Sequence, residues 1–154
     1  SLFNEEKIPN LRLFLPCEFK DGTFIDDTNG IRNFSPPGDT LNYYHSIFYR
    51  KTNINSLSDI QLAKHKGAEL HKCRGGFHGR NSMVAKSDFI LAMTFGYGNM
   101  VKEGGTADTV RKYLKRVGDD GSFNKAFHYN LNDGKIYRIT SAPIKKSNSN
   151  ELDL

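Results

Sequence analysis

The sequence predicts an α/β domain, and three observations carry that prediction. Asp88-Phe-Ile-Leu-Ala-Met-Thr-Phe95 is an unbroken apolar run of strand length, and a run without alternation marks a strand buried on both faces, as in a parallel sheet. The turn Gly104-Gly105-Thr106 follows it. From Ala107 to Val117 the residues Val110, Tyr113, Leu114 and Val117 then recur at helical spacing, with Arg111, Lys112, Lys115 and Arg116 largely on the other side. Strand, glycine-rich turn and helix form the repeating step of folds with a parallel sheet. At 154 residues the chain suits one hydrophobic core. The expectation is therefore a single Rossmann-like three-layer domain over residues 1–144, with a mostly parallel central sheet.

The remaining elements are read in chain order. Leu11-Arg-Leu-Phe-Leu15, closed by Pro16, reads as a buried first strand, since proline cannot donate to a ladder. From Lys20 to about Thr40 turn formers crowd together (Asp21-Gly22, Asp26-Asp27, Asn29-Gly30, Ser35-Pro-Pro-Gly38), which predicts a long irregular insertion after that strand. Tyr43-Tyr-His-Ser-Ile-Phe-Tyr49 is aromatic and β-prone and reads as a second strand or edge piece. Ser56 to His65 carries a helix signal: Ser56 as cap, Asp59 three residues on, and a partial stripe of Leu57, Ile60, Leu62 and Ala63 ending before Gly67. Ala68 to Cys73 is ambiguous between a short strand and a loop, and Arg80 opens a helical stretch to Lys86. Phe123 to Leu131 and Lys135 to Thr140 read as strands joined through Asn132-Asp133-Gly134, a hairpin signal. Lys145 to Leu154 is polar and patternless, as a disordered tail would be.

Composition narrows the function classes. With 37% hydrophobic and 25% charged residues the proportions are ordinary for a globular protein. No stretch approaches the roughly 18–20 apolar residues of a membrane span, and the first residues carry no secretory pattern. Cys17 and Cys73 alone make no disulfide framework. These features predict a cytoplasmic or nuclear protein without membrane contact. His65, His71, Cys73 and His78 fit no zinc spacing, so no metal is expected, and nothing in the sequence calls for a cofactor. Neither a Walker phosphate loop nor Gly-x-Gly-x-x-Gly is present, which argues against a standard ATPase or dinucleotide oxidoreductase.

What remains is anion binding. Free backbone N–H groups and the positive end of the helix dipole point out of a helix start, and glycine lets a ligand approach the chain closely. Gly104-Gly105-Thr106 therefore reads as a cradle for a nucleotide or sugar-phosphate ligand, with Thr106 capping the helix or donating its hydroxyl. Phe95 to Thr106 and the end of the first strand at Leu15-Pro16 are expected in the crevice at the strands' carboxyl ends.

The order His78-Gly-Arg80-Asn81-Ser-Met83-Val-Ala-Lys86-Ser87-Asp88, apolar strand, Gly104-Gly105-Thr106 resembles the SLOG-type Rossmann-like superfamily over about His78 to Leu114. That superfamily includes the LOG (lysine-decarboxylase-like) phosphoribohydrolases and the DprA/Smf single-strand DNA-binding proteins. The resemblance implies Arg80, Asn81, Gly104, Gly105 and Thr106 as ligand contacts, with Thr94, Phe95 and Gly96 lining the crevice. Two departures stand out. The glutamate that the phosphoribohydrolases place after Gly-Thr is Thr109 here, and their Pro-Gly-Gly turn is replaced by the longer Phe95–Glu103 loop. N-glycosidic or phosphoribosyl chemistry would need another carboxylate, with Asp108 and Glu103 as candidates. Glu18, Asp21, Asp26 and Asp27 cluster near the first strand and are better explained as turn formers.

Binding is thus the first expectation. The alternatives are single-stranded nucleic-acid binding, through a net charge of +5 and the basic side of the Arg111–Arg116 segment, and an N-glycosidic or phosphoribosyl hydrolase or transferase. The aromatic residues Tyr43, Tyr44, Phe48, Tyr49 and Phe95 are expected in the core rather than on a stacking platform, and the apolar helix faces permit a homodimer. Arg80 could instead serve a structural ion pair with Asp88 or Glu103.

Overall fold

A computed structural model of the chain describes residues 2–26, 36–118, 125–141 and 143. The tail from Lys145 to Leu154 and residues 27–35 of the expected insertion, including Asp27, Asn29-Gly30 and Ser35, lie outside the described residues. The rest is mixed α/β, divided into two compact units, Ser1–Met83 and Val84–Leu154. Among the described residues no helix is long and apolar enough to cross a membrane.

The first unit contains β1 (Arg12–Leu15), β2 (Glu18–Lys20), β3 (Thr23–Ile25), α1 (Pro37–Thr52), α2 (Ser56–His65), β4 (Glu69–Lys72) and α3 (Gly76–Val84), whose last residue opens the second unit. β1 and β4 pair in parallel, with Leu15 opposite Lys72. Only Leu15 of β1 is buried. The stretch after β1 is not irregular at its start: β2 and β3 form an antiparallel hairpin around Asp21 (φ 50°) and Gly22 (φ 78°). Each of these strands is three residues long and sends one ring inward. Phe19 and Phe24 meet edge to face at 5.0 Å and join Leu15 and Cys17 in a core cluster.

Tyr43–Tyr49 is helical, not a strand, because its neighbours specify a helix. Pro37 stands at the start of α1, where its fixed φ and missing N–H suit the first turn. The Asp26 carboxylate accepts the N–H groups of Gly38 (2.7 Å) and Asp39 (3.1 Å). Arg50 and Lys51 occupy the last turn, and Asn53 closes it in the left-handed conformation (φ 57°). Gly38, Leu41, Asn42 and His45 turn inward at helical spacing. Asn42 exchanges two hydrogen bonds with the Phe24 backbone (3.0 and 2.9 Å), and His45 stacks on the Phe24 ring at 5.4 Å. Tyr43, Tyr44, Phe48 and Tyr49 are consequently exposed, not core.

α2 has the expected bounds with a different cap. Asn55 accepts the Ser58 N–H at 3.1 Å, while the Ser56 hydroxyl pairs with His45 Nδ1 at 2.7 Å. α3 starts four residues earlier than its sequence signal suggests, so Arg80 sits inside the helix and does not open it. Its entry turns through Gly75 and Gly76, both at positive φ, and a Cβ on Gly79 would lie 1.7 Å from the Arg74 carbonyl oxygen.

The second unit contains β5 (Ile90–Thr94), α4 (Gly105–Val117), β6 (Ala126–Asn130) and β7 (Lys135–Arg138). β5 and β6 are parallel with α4 as the crossover, and β6 and β7 form the expected hairpin through Gly134 (φ 69°). Ala107, Val110, Tyr113, Leu114 and Val117 of α4 pack with Ile90, Ala92, Ala126 and Ile139. The Tyr113 hydroxyl donates to the Asp88 carbonyl at 3.0 Å.

β5 is not buried on both faces. Ile90 and Ala92 are in the core, whereas Phe89, Leu91, Met93 and Phe95 are exposed. An unbroken apolar run shows that both faces are apolar, and coverage is decided by what packs on each.

Candidate functional site

The passage from β5 into α4 is tightly organised. Thr94 Oγ1 accepts the Lys102 N–H (3.0 Å) and lies 2.9 Å from His128 Nε2. His128 Nδ1 lies 2.7 Å from the Gly98 carbonyl, which can only accept. His128 Nε2 lies 3.3 Å from the Thr94 carbonyl as well, so both ring nitrogens are engaged. His128 is 0% exposed.

The same loop is held at further points. The Gly96 carbonyl accepts from Asn132 Nδ2 (2.8 Å), Asn99 Nδ2 donates to Thr140 Oγ1 (2.9 Å), and Tyr97 and Met100 pair back to back through their main chains. A Cβ on Gly96 would lie 2.0 Å from the Met100 carbonyl oxygen, so the bend requires glycine. Phe95–Glu103 is therefore a short, braced tongue. Phe95 (61%) and Tyr97 (77%) stand exposed on it.

α4 begins behind the tongue. Gly104 precedes it at φ 142°, a conformation that favours glycine, and no side chain caps the helix. Thr106 is exposed and does not cap, contrary to the sequence expectation. Gly104, Gly105 and Thr106 thus leave the helix start open towards solvent.

The two candidate acid/base groups are tied to cations of the same helix. Glu103 closes a two-bond fork with Arg111 (2.8 and 2.9 Å), and this pushes the Arg111 guanidinium pKa up. Asp108 pairs with Lys112 at 2.8 Å. Thr109, where the resemblance would place a glutamate, is buried and donates its hydroxyl to the Gly105 carbonyl at 3.0 Å. Asp26, from the other acidic cluster, is the cap of α1.

The basic side of α4 is largely engaged as well. Besides Arg111 and Lys112, Arg116 donates to the Ala85 and Ser87 carbonyls and lies over the Tyr113 ring at 5.4 Å.

In the first unit, Arg80 and Asn81 stand side by side on α3. Arg80 is half-buried, and that burial pushes its guanidinium pKa down. Nε and Nη2 both donate to Asn81 Oδ1 (3.3 and 2.9 Å), and the guanidinium lies 5.2 Å from the Phe77 ring centre. Among the described residues no carboxylate pairs with it. Burial pushes the Cys73 thiol pKa up, against the opposing pull of Arg80. His65 and His71 are engaged with Gln61 and Glu69 respectively.

Of the residues singled out in the sequence, Arg80 and Asn81 belong to the first unit, and Thr94, Phe95, Gly96, Gly104, Gly105 and Thr106 to the second. Thr94 and Gly96 spend their side-chain or carbonyl oxygen on bracing the tongue. Sequence reasoning passed over His128, and also Tyr97, whose setting between Gly96 and Gly98 is a visible signal of a displayed ring.

No family model matches this chain, and no solved structure matches it. It is similar to an uncharacterized protein of Acanthamoeba polyphaga mimivirus, with 35% identity over 115 residues that cover 72% of this chain and 56% of that protein. The chain therefore spans little more than half the length of that relative.

Proposed function

We propose that the chain binds a nucleotide or nucleotide-derived phosphorylated ligand, on a Rossmann-like three-layer fold with a mostly parallel sheet. The observation that carries this reading is Arg80: a half-buried guanidinium whose hydrogen bonds end on a neutral amide, with no carboxylate partner among the described residues. A cation held partly out of water without a counter-ion gains from an incoming anion, and a guanidinium meets phosphate with two parallel bonds. In the second unit, taken by itself, no side chain caps the start of α4, and the exposed rings of Phe95 and Tyr97 offer faces on which a base can stack.

Arg80, with Asn81 beside it, is the proposed contact in the first unit; Gly104, Gly105 and Thr106 are candidates within the second unit by itself, where Thr94 and Gly96 brace the tongue. Binding is favoured over hydrolysis because Glu103 and Asp108 are both ion-paired and Thr109 is buried. It is favoured over nucleic-acid binding because three of the basic residues of α4 already have internal partners.

The test is a thermal-shift screen with mono-, di- and cyclic nucleotides and sugar phosphates at millimolar concentration, followed by Arg80→Lys. At least one probe raises Tm in the parent. Arg80→Lys weakens that probe by about 1–3 kcal/mol, the scale of a charge-assisted hydrogen bond, while Tm without ligand hardly moves. A screen in which no phosphorylated probe raises Tm removes the reading, and unchanged affinity in the variant removes Arg80 from it.

A further inference from the structure

α1 turns Gly38, Leu41, Asn42 and His45 inward, and leaves rings and cations on its outer side. Tyr43 is 59% exposed, Tyr44 61%, Phe48 44% and Tyr49 49%. Tyr43 and Arg50 stand seven residues apart, and Tyr44, Phe48 and Lys51 recur at i, i+4 and i+7, so two rows run side by side along the helix. The rows meet at Tyr43 and Tyr44, whose ring centres are 5.9 Å apart. Among the described residues no hydroxyl of Tyr43, Tyr44 or Tyr49 makes a hydrogen bond, and neither Arg50 nor Lys51 has an ion-pair partner. Single exposed rings are ordinary on a protein surface, but four on one helix form a patch, and a patch marks a surface that something else covers.

Charge decides what covers it. Between Asp39 and Asp59 the chain has no acidic residue, whereas Arg50 and Lys51 are both exposed. The face thus joins ring surfaces to positive charge without an anion of its own. A second copy of the chain would bring a face of the same sign, and the net charge of +5 opposes that approach. A nucleic-acid strand supplies both complements at once: flat bases for the rings and phosphates for the cations. In a duplex the base faces are already stacked on one another, so this pattern selects a single strand.

We propose that the outer face of α1 is a docking surface for single-stranded nucleic acid, with Tyr43, Tyr44 and Phe48 stacking on bases and Arg50 and Lys51 holding the backbone. The inference does not depend on the Arg80 reading, and no residue of this face falls in His78–Leu114. It also differs from the basic side of α4, where Arg111, Lys112 and Arg116 are engaged within the unit.

The experiment follows fluorescence anisotropy of a labelled oligothymidylate of about twelve nucleotides as the full chain is added, across a salt series. The parent binds the single strand more tightly than the duplex it forms with oligoadenylate, and affinity falls as salt rises. Tyr44→Ala weakens binding about fivefold or more, the loss of one stacked base, while Tyr44→Phe keeps it. Replacing Arg50 and Lys51 together by glutamine lowers the slope of log K against log salt by roughly one to two. No binding in low salt overturns the proposal, and so does a preference for the duplex or an affinity that Tyr44→Ala leaves unchanged. A parent dimer that Tyr44→Ala dissolves in sedimentation gives the face to a second copy and overturns it as well. Should Tyr44→Ala fail to fold, the double glutamine variant decides, since both of its side chains lie in solvent, and an unchanged salt slope overturns the proposal.

Discussion

The two parallel strand pairs are built alike and furnished differently. In the second unit β5–β6 is crossed by one helix, α4, on which Arg111, Lys112 and Arg116 are all engaged within the unit. In the first unit α3, which follows β4, carries Arg80, a half-buried cation with no carboxylate partner among the described residues. A spent charge and an unspent one answer salt differently, because the long-range attraction that an unpaired guanidinium offers an incoming anion is screened.

The largest effect is expected where the tongue bends. Gly96→Ala forces a Cβ to within 2.0 Å of the Met100 carbonyl and 2.9 Å of His128 Cε1. Neither neighbour is the free end of a flexible chain, so the loss should reach about 3 kcal/mol or more, read as a large fall in Tm. A variant that melts with the parent would show that the tongue is softer than its bonds imply. Next in size is Arg80→Lys, whose effect falls on affinity and not on Tm. The comparison sharpens if its loss shrinks in high salt.

Tyr113→Phe should cost about 1 kcal/mol, because the ring stays packed while the bond from its hydroxyl to the Asp88 carbonyl is lost. Denaturant titration measures it, and a neutral result would mean that water reaches the freed carbonyl.

The smallest effect is one of pH. Burial pushes the His45 imidazole below its usual 6.5, so the unfolded chain takes up a proton before the folded one does. The stability that neutral His45 contributes is in place above about 6.5 and is lost as pH falls below that value towards the lowered folded pKa. Melts of His45→Gln should show less dependence on pH than the parent between 7 and roughly 5. Parallel profiles would place the titration elsewhere.

The sequence reveals this architecture where one element carries its whole signal. α4 has a clean apolar stripe and is bounded by Gly104 and Gly118, and α2 and the β6–β7 hairpin are equally self-contained. α1 is not, because part of what makes it a helix is the carboxylate of Asp26, which accepts the Gly38 N–H from twelve residues earlier in the chain. Its aromatic residues read as strand formers, and only the inward stripe of Leu41, Asn42 and His45 explains why they sit outside. The β2–β3 hairpin is too short for periodicity, since it depends on one ring from each strand.

At the site, Gly104–Thr106 is legible as a helix start because glycine at φ 142° and an amphipathic run announce it. The Thr106 cap was not to be trusted, since the residue falls inside the first turn, past the position where a side chain reaches the free N–H groups.

The braced tongue has a kinetic consequence. Phe95 and Tyr97 are displayed on a segment whose backbone is already fixed by Thr94, His128, Asn132 and its own main-chain pairs. A partner ring meeting them incurs little loss of loop entropy and waits for no closing step. Association should therefore follow a single exponential whose rate rises linearly with ligand concentration, without the plateau that a slow rearrangement imposes. Differences among ligands would then be written almost entirely in how long each one stays.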